Sequence, residues 1–165
     1  MYDEEKTLEV LKNAVYEFYQ KDFKLLNINV SERAMVFRIA CYLEKNVKKL
    51  DTFQDNISVD CEYNRSERNP KQQASGILYV PDLCIHERGS NDHNFLCVEF
   101  KKKGGNHNGN KKDKKTLECM TSQESYGLGY QLGLHIHLYV KYIIIDKYKN
   151  GSIVEKGIRW DQSTK

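Results

Sequence analysis

Three charged side chains interrupt the apolar runs of residues 77–103 (ILYVPDLCIHERGSNDHNFLCVEFKKK): Asp82, Glu99 and Lys101. Residues 77–86 and 95–101 are rich in β-branched and aromatic types and read as strands. Between them, residues 87–94 hold the Gly, Ser, Asn and Asp of a chain reversal. A hairpin folded symmetrically about residues 90–91 sets Asp82 directly across from Glu99, with Cβ atoms about 5 Å apart. Lys101 lies two residues beyond Glu99 and shares its face of the strand. Two carboxylates and an ammonium thus converge on an apolar sheet. Unpaired charge is costly to bury, and a divalent cation would offset that cost. Hard oxygen donors without an obligatory His or Cys favour Mg²⁺ or Mn²⁺. The competing reading is a structural ion pair, Glu99–Lys101 or Asp82–Lys101, with no chemical role.

Pro81-Asp82, followed on the next strand by Glu99-Phe100-Lys101, resembles the PD-(D/E)xK phosphodiesterase superfamily, the restriction-endonuclease-like fold. The resemblance extends over residues 31–160 and implies an α/β (α+β) domain. Its αβββαβ core would carry a mixed central sheet flanked by helices, with residues 1–30 as an N-terminal helical extension. It also implies a metal-dependent nuclease that hydrolyses phosphodiester bonds, with Asp82, Glu99 and the main-chain carbonyl of Phe100 as metal ligands. Lys101 would orient the attacking water or stabilise the phosphorane. Family members carry a Glu on the first core helix, and Glu32 is the candidate here, for a second metal or a metal-bound water. A helix after the ExK strand can send a polar side chain to the site, for which Gln131 and Tyr130 are candidates. Glu32 has a simpler reading too, since an acid in a first helical turn complements the helix dipole.

The elements that must position these groups follow from periodicity. Leu8, Leu11, Val15, Phe18 and Tyr19 repeat at helical spacing and predict an amphipathic helix over residues 4–20. Residues 24–30 read as a short strand or extended linker. Ser31 is a good N-cap for a helix over 32–48, with Met35, Val36, Ile39, Ala40 and Leu43 as its apolar stripe. Residues 52–64 read as the first core strand, followed by a polar loop at 65–75. Glu62 at the strand's end either reaches the site or pairs with Arg65 or Arg68. The apolar-free segment 104–110 (GGNHNGN) predicts a loop, with His107 solvated in it. A short helix over 113–120 would be capped by Asp113. A second, over 124–137, would approach the sheet closely through Gly127, Gly129 and Gly133, although each glycine costs a helix about 1 kcal/mol. Strands at 139–146 and 152–160, joined by a turn at 149–151, would close the sheet.

At 165 residues the chain suits one domain able to bury roughly 70% of its unfolded surface. Hydrophobic content of 39% against 30% charged residues fits a soluble globular class rather than a membrane one. The acidic start (MYDEEKTLEV) lacks a signal-peptide core, so cytoplasmic residence is expected. Five cysteines, mostly in apolar segments, read as reduced core thiols. Cys84 and Cys97 face each other in the hairpin register, yet a zinc site with His86 and His93 lacks any CxxC spacing. Residues 101–115 concentrate seven lysines against one acid. Lys102, Lys103, Lys111, Lys112, Lys114 and Lys115 are therefore candidates for sequence-independent phosphate contacts. No groove-reading motif stands out, so nucleic acid, DNA before RNA, would be bound with little base readout. A homodimer could cut both strands, and a protein partner could direct the enzyme. The alternative is a catalytically silent module of the same fold that binds nucleic acid or a protein.

Overall fold

Two buried layers meet on opposite faces of one mixed six-stranded sheet in the computed structural model, which describes residues 3–49, 56–66, 69–70, 79–102, 107–124 and 127–161. In chain order the elements are α1 (Glu4–Lys21), α2 (Lys24–Asn27), α3 (Glu32–Val47), β1 (Ile57–Cys61), β2 (Arg65–Ser66) and β3 (Asn69–Pro70). There follow β4 (Leu83–Glu87), β5 (Asn94–Lys102), α4 (His107–Thr121), β6 (Leu132–Leu138), β7 (Tyr142–Lys149) and β8 (Ser152–Asp161). The large sheet runs β1-β4-β5-β6-β7-β8, and β2 and β3 form a separate two-stranded ladder. Only β5 and β6 pair in parallel in the large sheet, because α4 carries the chain back across it.

The periodicity of the first helices holds. Asp3 caps α1 by accepting from the Lys6 N–H, and Ser31 caps α3 by accepting from the Ala34 N–H. Their apolar stripes pack on each other and on Leu83, Ile85, Leu96, Val98 and Phe100. Residues 24–30 differ from expectation: α2 is a single helical turn, neither strand nor extended linker. Lys24 O accepts the Ile28 N–H at 3.0 Å, closing that turn. On the other face, α4 lays Leu117 and Met120 against Cys84, Cys97, Tyr130 and Tyr148.

The hairpin register is the expected one at its inner end: Leu83 pairs with Val98, Cys84 with Cys97 and Ile85 with Leu96. A bulge between Ile85 and His86 then shifts the outer rung to His86–Asn94, so the irregularity lies away from Asp82. Leu83 begins the strand, and Asp82 sits in the bend just before it. Of the first core strand expected over 52–64, residues 57–61 form β1, and residues 51–55 lie outside the described ones.

Two segments depart from the periodicity reading. Residues 107–110, read as loop, form the first turn of α4, which makes Asp113 an interior helix residue rather than a cap. Residues 103–106, including Lys103, lie outside the described residues. The helix expected over 124–137 is instead an irregular segment followed by β6. The recurrence of Tyr130 and Leu134 imitates a helix, but LGLHIHL forms a central strand buried on both faces, where a nearly continuous apolar run is normal. A Cβ on Gly127 would lie 1.9 Å from Ser122 O, so the path into β6 requires glycine there. Gly133 serves close approach as expected, but from the strand. A Cβ there would meet Thr121 Cγ2 of α4 at 2.8 Å. The first closing strand, expected over 139–146, instead runs from Tyr142 to Lys149, because residues 139–141 turn the chain back from β6. The hairpin reverses through Asn150 (φ 49°) and Gly151 (φ 74°), the left-handed pair of a tight two-residue turn.

Candidate active site

The β4–β5 register carries Asp82, Glu99 and Lys101 to one cleft of about 500 Å³, also lined by Ser31, Glu32, Arg33, Glu62, Lys112 and Asp113. Each residue arrives on a different support. Asp82 precedes β4, Glu99 and Lys101 lie on the α4 side of β5, Glu32 opens α3, and Asp113 projects from the middle of α4.

Asp82 is fixed by its own strand partner. Its Oδ2 accepts the Phe100 N–H at 2.7 Å, and its main-chain carbonyl accepts the Glu62 N–H at 3.3 Å. Burial raises its pKa against the opposing influence of that N–H and of Lys101. Glu99 is 4% exposed. Burial, and then the charges of Asp82 and Asp113, push its pKa well above the usual carboxylate range. These two neighbouring acids resist ionising together.

Lys101 is the counterweight. Its Nζ lies 2.9 Å from Glu32 Oε1 and 2.8 Å from Asp113 Oδ2, and it donates to the Phe100 carbonyl at 3.1 Å. Burial alone would lower its pKa, but the two carboxylates outweigh burial and hold the proton more firmly than usual. Lys101 is therefore an ammonium, not a base, at neutral pH. Glu32 binds twice, since its Oε2 also accepts the Lys102 N–H at 3.1 Å. Dipole compensation is thus only part of its role.

Asp113 was expected to cap a helix and instead grips the Lys101 ammonium. Burial works to raise its pKa, yet His135 and Lys101 win and lower it. His135 Nε2 stands 3.7 Å from Asp113 Oδ2. His135 is fully buried on β6 and pairs with Glu99 across the parallel ladder, as His137 pairs with Lys101. Burial, then His135, depress His137 to about 4, so it is neutral at physiological pH. The sequence did carry a signal for Asp113. Asp113, Thr116, Leu117, Met120 and Thr121 follow one another at helical spacing, all buried, so the acid sits on the inward face.

Gln131 does not reach the site. It precedes β6, where its N–H donates to Asn94 O at the opposite end of β5 from Lys101. The helix after the ExK strand is α4, and the acid it brings to the site is Asp113. Tyr130 is buried among Cys84, Cys97 and Leu117 rather than facing the cleft. Glu62 pairs with Arg33 at 2.6 Å on the rim rather than with Arg65, and Arg68 lies outside the described residues. Among the lysines, Lys112 lines the cleft, and Lys111, its chain neighbour on α4, is exposed. Lys102 Nζ donates to Asn29 Oδ1 at 2.7 Å and to Val30 O at 2.8 Å, which ties it to the turn before α3. Lys114 and Lys115 lie 3.9 Å from Asp146 and Glu118 respectively. His86 and His93 engage Asp60 and Glu87.

Among the described residues, no three His, Cys, Asp or Glu side chains are grouped to hold a metal ion. The oxygens available to a cation are the carboxylates of Asp82 and Glu99 and the Phe100 carbonyl. The set is hard, and its two acids disfavour shared ionisation, which a divalent ion would relieve. Mg²⁺ accepts one or two protein carboxylates while keeping several waters, so this donor set fits it. Among the described residues, no helix is long and apolar enough to cross a membrane.

No protein-family model matches the chain, and no curated protein does either. A solved structure does: the chain is similar to the cryo-electron-microscopy structure of a DrdV–DNA complex, with a TM-score of 0.50 and 13% identity. The match covers 94% of this chain and 12% of that one, so this chain spans about an eighth of its neighbour's length. At that identity the likeness concerns the fold, an α/β arrangement with a six-stranded mixed sheet between helices.

Proposed function

We propose that this chain is a Mg²⁺- or Mn²⁺-dependent nuclease that hydrolyses phosphodiester bonds, with DNA preferred over RNA and little sequence readout. It would be built on a restriction-endonuclease-like core. The observation that carries this reading is the meeting of Asp82, Glu99, Lys101 and Glu32 in one open cleft, from positions as far apart in sequence as 32 and 101. The order α3, three antiparallel strands, α4 and a parallel strand supports the αβββαβ core. The likeness to a protein solved with DNA supports the substrate class.

Asp82, Glu99 and the Phe100 carbonyl would hold the cation, which when bound polarises the phosphate and lowers the pKa of coordinated water. The chain's own residues do the rest. Asp82, locked to the Phe100 N–H, fixes the spacing of the two strands. Lys101, kept protonated by Glu32 and Asp113, supplies a positive charge to the phosphoryl oxygens as charge develops there. Asp113, backed by His135, positions that ammonium. Lys112 and Lys111 draw the polyanion to the cleft.

One observation favours the silent-module alternative: the Lys101 ammonium already neutralises Glu32 and Asp113 and occupies the Phe100 carbonyl. Nicking of supercoiled plasmid in Mg²⁺, Mn²⁺ or EDTA separates the readings. Metal-dependent nicking that Asp82→Ala and Glu99→Ala abolish is expected. DNA binding with no cleavage in any metal would favour the silent module.

A further inference from the structure

Beside the cleft, and sharing Arg33, Glu62 and Asp82 with it, lies a second cavity of about 200 Å³ closed by Val36, Phe37 and Cys61. Three features distinguish it from ordinary surface. Phe37 is 60% exposed on α3, so a large apolar ring stands in solvent without covering the core. Arg33 lies one helical turn before Phe37, on the same face of α3, and its side chain is 81% exposed. The far wall is the end of β1, where Cys61 and Glu62 face the helix. An aromatic face, a guanidinium and an acceptor carboxylate therefore surround a small apolar recess that opens off the proposed phosphate site.

We propose that this cavity receives one unpaired nucleobase of the substrate strand, next to the scissile phosphate, with the base stacked on Phe37. The inference rests on the nuclease reading for its location, because Asp82 belongs to both cavities. Its chemistry is independent of that reading. A base offers a π-face to Phe37 and polar edges to Arg33 and Glu62, while Arg33 can also meet the adjoining phosphate. A base stacked within a duplex cannot enter a side recess, whereas one that is unpaired or splayed out can. The substrate class that follows is single-stranded nucleic acid, or a duplex unpaired at the cleavage point by a flap, a branch, a frayed end or the local melting that negative supercoiling favours.

The test compares wild type with Phe37→Ala and Phe37→Trp on two fluorescent oligonucleotide sets, fully duplex and single-stranded. Each set is made intact and with abasic sites at successive positions. Because Phe37 is exposed and Ala is the better helix former, Phe37→Ala leaves the fold intact. Anisotropy in EDTA reads binding and gel assays in Mn²⁺ read cleavage. Loss of one stacked base is expected to weaken single-strand binding about tenfold, and Phe37→Ala to weaken it equally. The two changes together should cost no more than either alone, Phe37→Trp should retain affinity, and duplex binding should be unmoved. Cleavage should show the same pattern in KM. If Phe37→Ala binds every oligonucleotide as wild type does, or if its loss simply adds to that of the abasic site, the pocket is not a base site. If the coupling appears in binding but nothing is cleaved in any metal, the nuclease reading fails and the base pocket stands. If no nucleic acid binds at all, both fail.

Discussion

Glu99 is the residue at which stability and function pull in opposite directions. An acid whose folded pKa is raised carries its proton into the folded state, so the fold binds more protons than the unfolded chain above the ordinary value of 4.5. Stability then falls as pH rises through the window between those two pKa values. His137, depressed to about 4, acts in the opposite sense, because its unfolded form charges below about 6.5 and draws the chain open as pH falls. The comparison must therefore be with a variant. In EDTA, Glu99→Gln is expected to melt higher than wild type at pH 8, and the gap should narrow towards pH 5. Thermal melts across that range decide it, and a gap independent of pH would contradict the burial of the carboxylate. Asp113 gives the second residue-scale expectation. Asp113→Asn frees one side of the Lys101 ammonium and should lower kcat roughly a hundredfold with little change in KM, while Asp113→Glu partly restores it. The convergence of Asp82, Glu99 and Lys101 was legible in the sequence because the hairpin register and alternation along a strand determine where they point, whereas Glu32 was a candidate only through the family resemblance. Asp113 reads as a cap in the sequence, although its helical spacing with Leu117 and Met120 carries the signal, because the polar stretch before it hides the first turn of α4.

At the scale of elements, the helix–sheet approach at Gly133 is the sharpest constraint. A Cβ there would stand 2.8 Å from Thr121 Cγ2, 3.2 Å from Tyr148 Cβ and 3.4 Å from Leu117 Cδ2. Gly133→Ala should therefore push α4 outward and cost about 1–3 kcal/mol, read by chemical denaturation. It should also lower activity, because α4 carries Asp113 to the site. A variant as stable as wild type would show that α4 yields freely. Removing the cap with Ser31→Ala should cost about 1 kcal/mol and loosen the turn that presents Glu32. The two amphipathic helices, the inner hairpin register and the closing hairpin all follow from period and turn chemistry. β6 does not, since a short strand buried on both faces loses the alternation that identifies strands, and Tyr130 and Leu134 recur at helical spacing. What distinguishes it is tertiary: β5 on one side, β7 on the other and α4 above.

Across the whole molecule, the β8 edge of the sheet is protected. β8 is interleaved with Glu155, Lys156 and Arg159, and its pairing with β7 is broken by register shifts, features that discourage edge-to-edge association. The N-terminal helix is tied across to this end through Glu4, which meets Lys147 and Lys149. Charge is arranged otherwise at the cleft, where Lys112 stands among the acids and Lys111 is its exposed chain neighbour on α4. If these lysines meet phosphates, affinity for nucleic acid should fall linearly on a log–log plot against salt. The double substitution Lys111→Ala, Lys112→Ala should reduce that slope by about two without changing sequence preference. An unchanged slope would place the polyanion elsewhere.

In the proposed mechanism Lys101 acts on phosphate while Asp82 and Glu99 hold the cation. Mn²⁺ binding by titration calorimetry and plasmid nicking, measured side by side on wild type and Lys101→Ala, test it most directly. The expected result is that Lys101→Ala binds Mn²⁺ at least as well as wild type, since a competing positive charge has been removed, while nicking is lost. Nicking by Lys101→Ala at the wild-type rate would contradict the assignment.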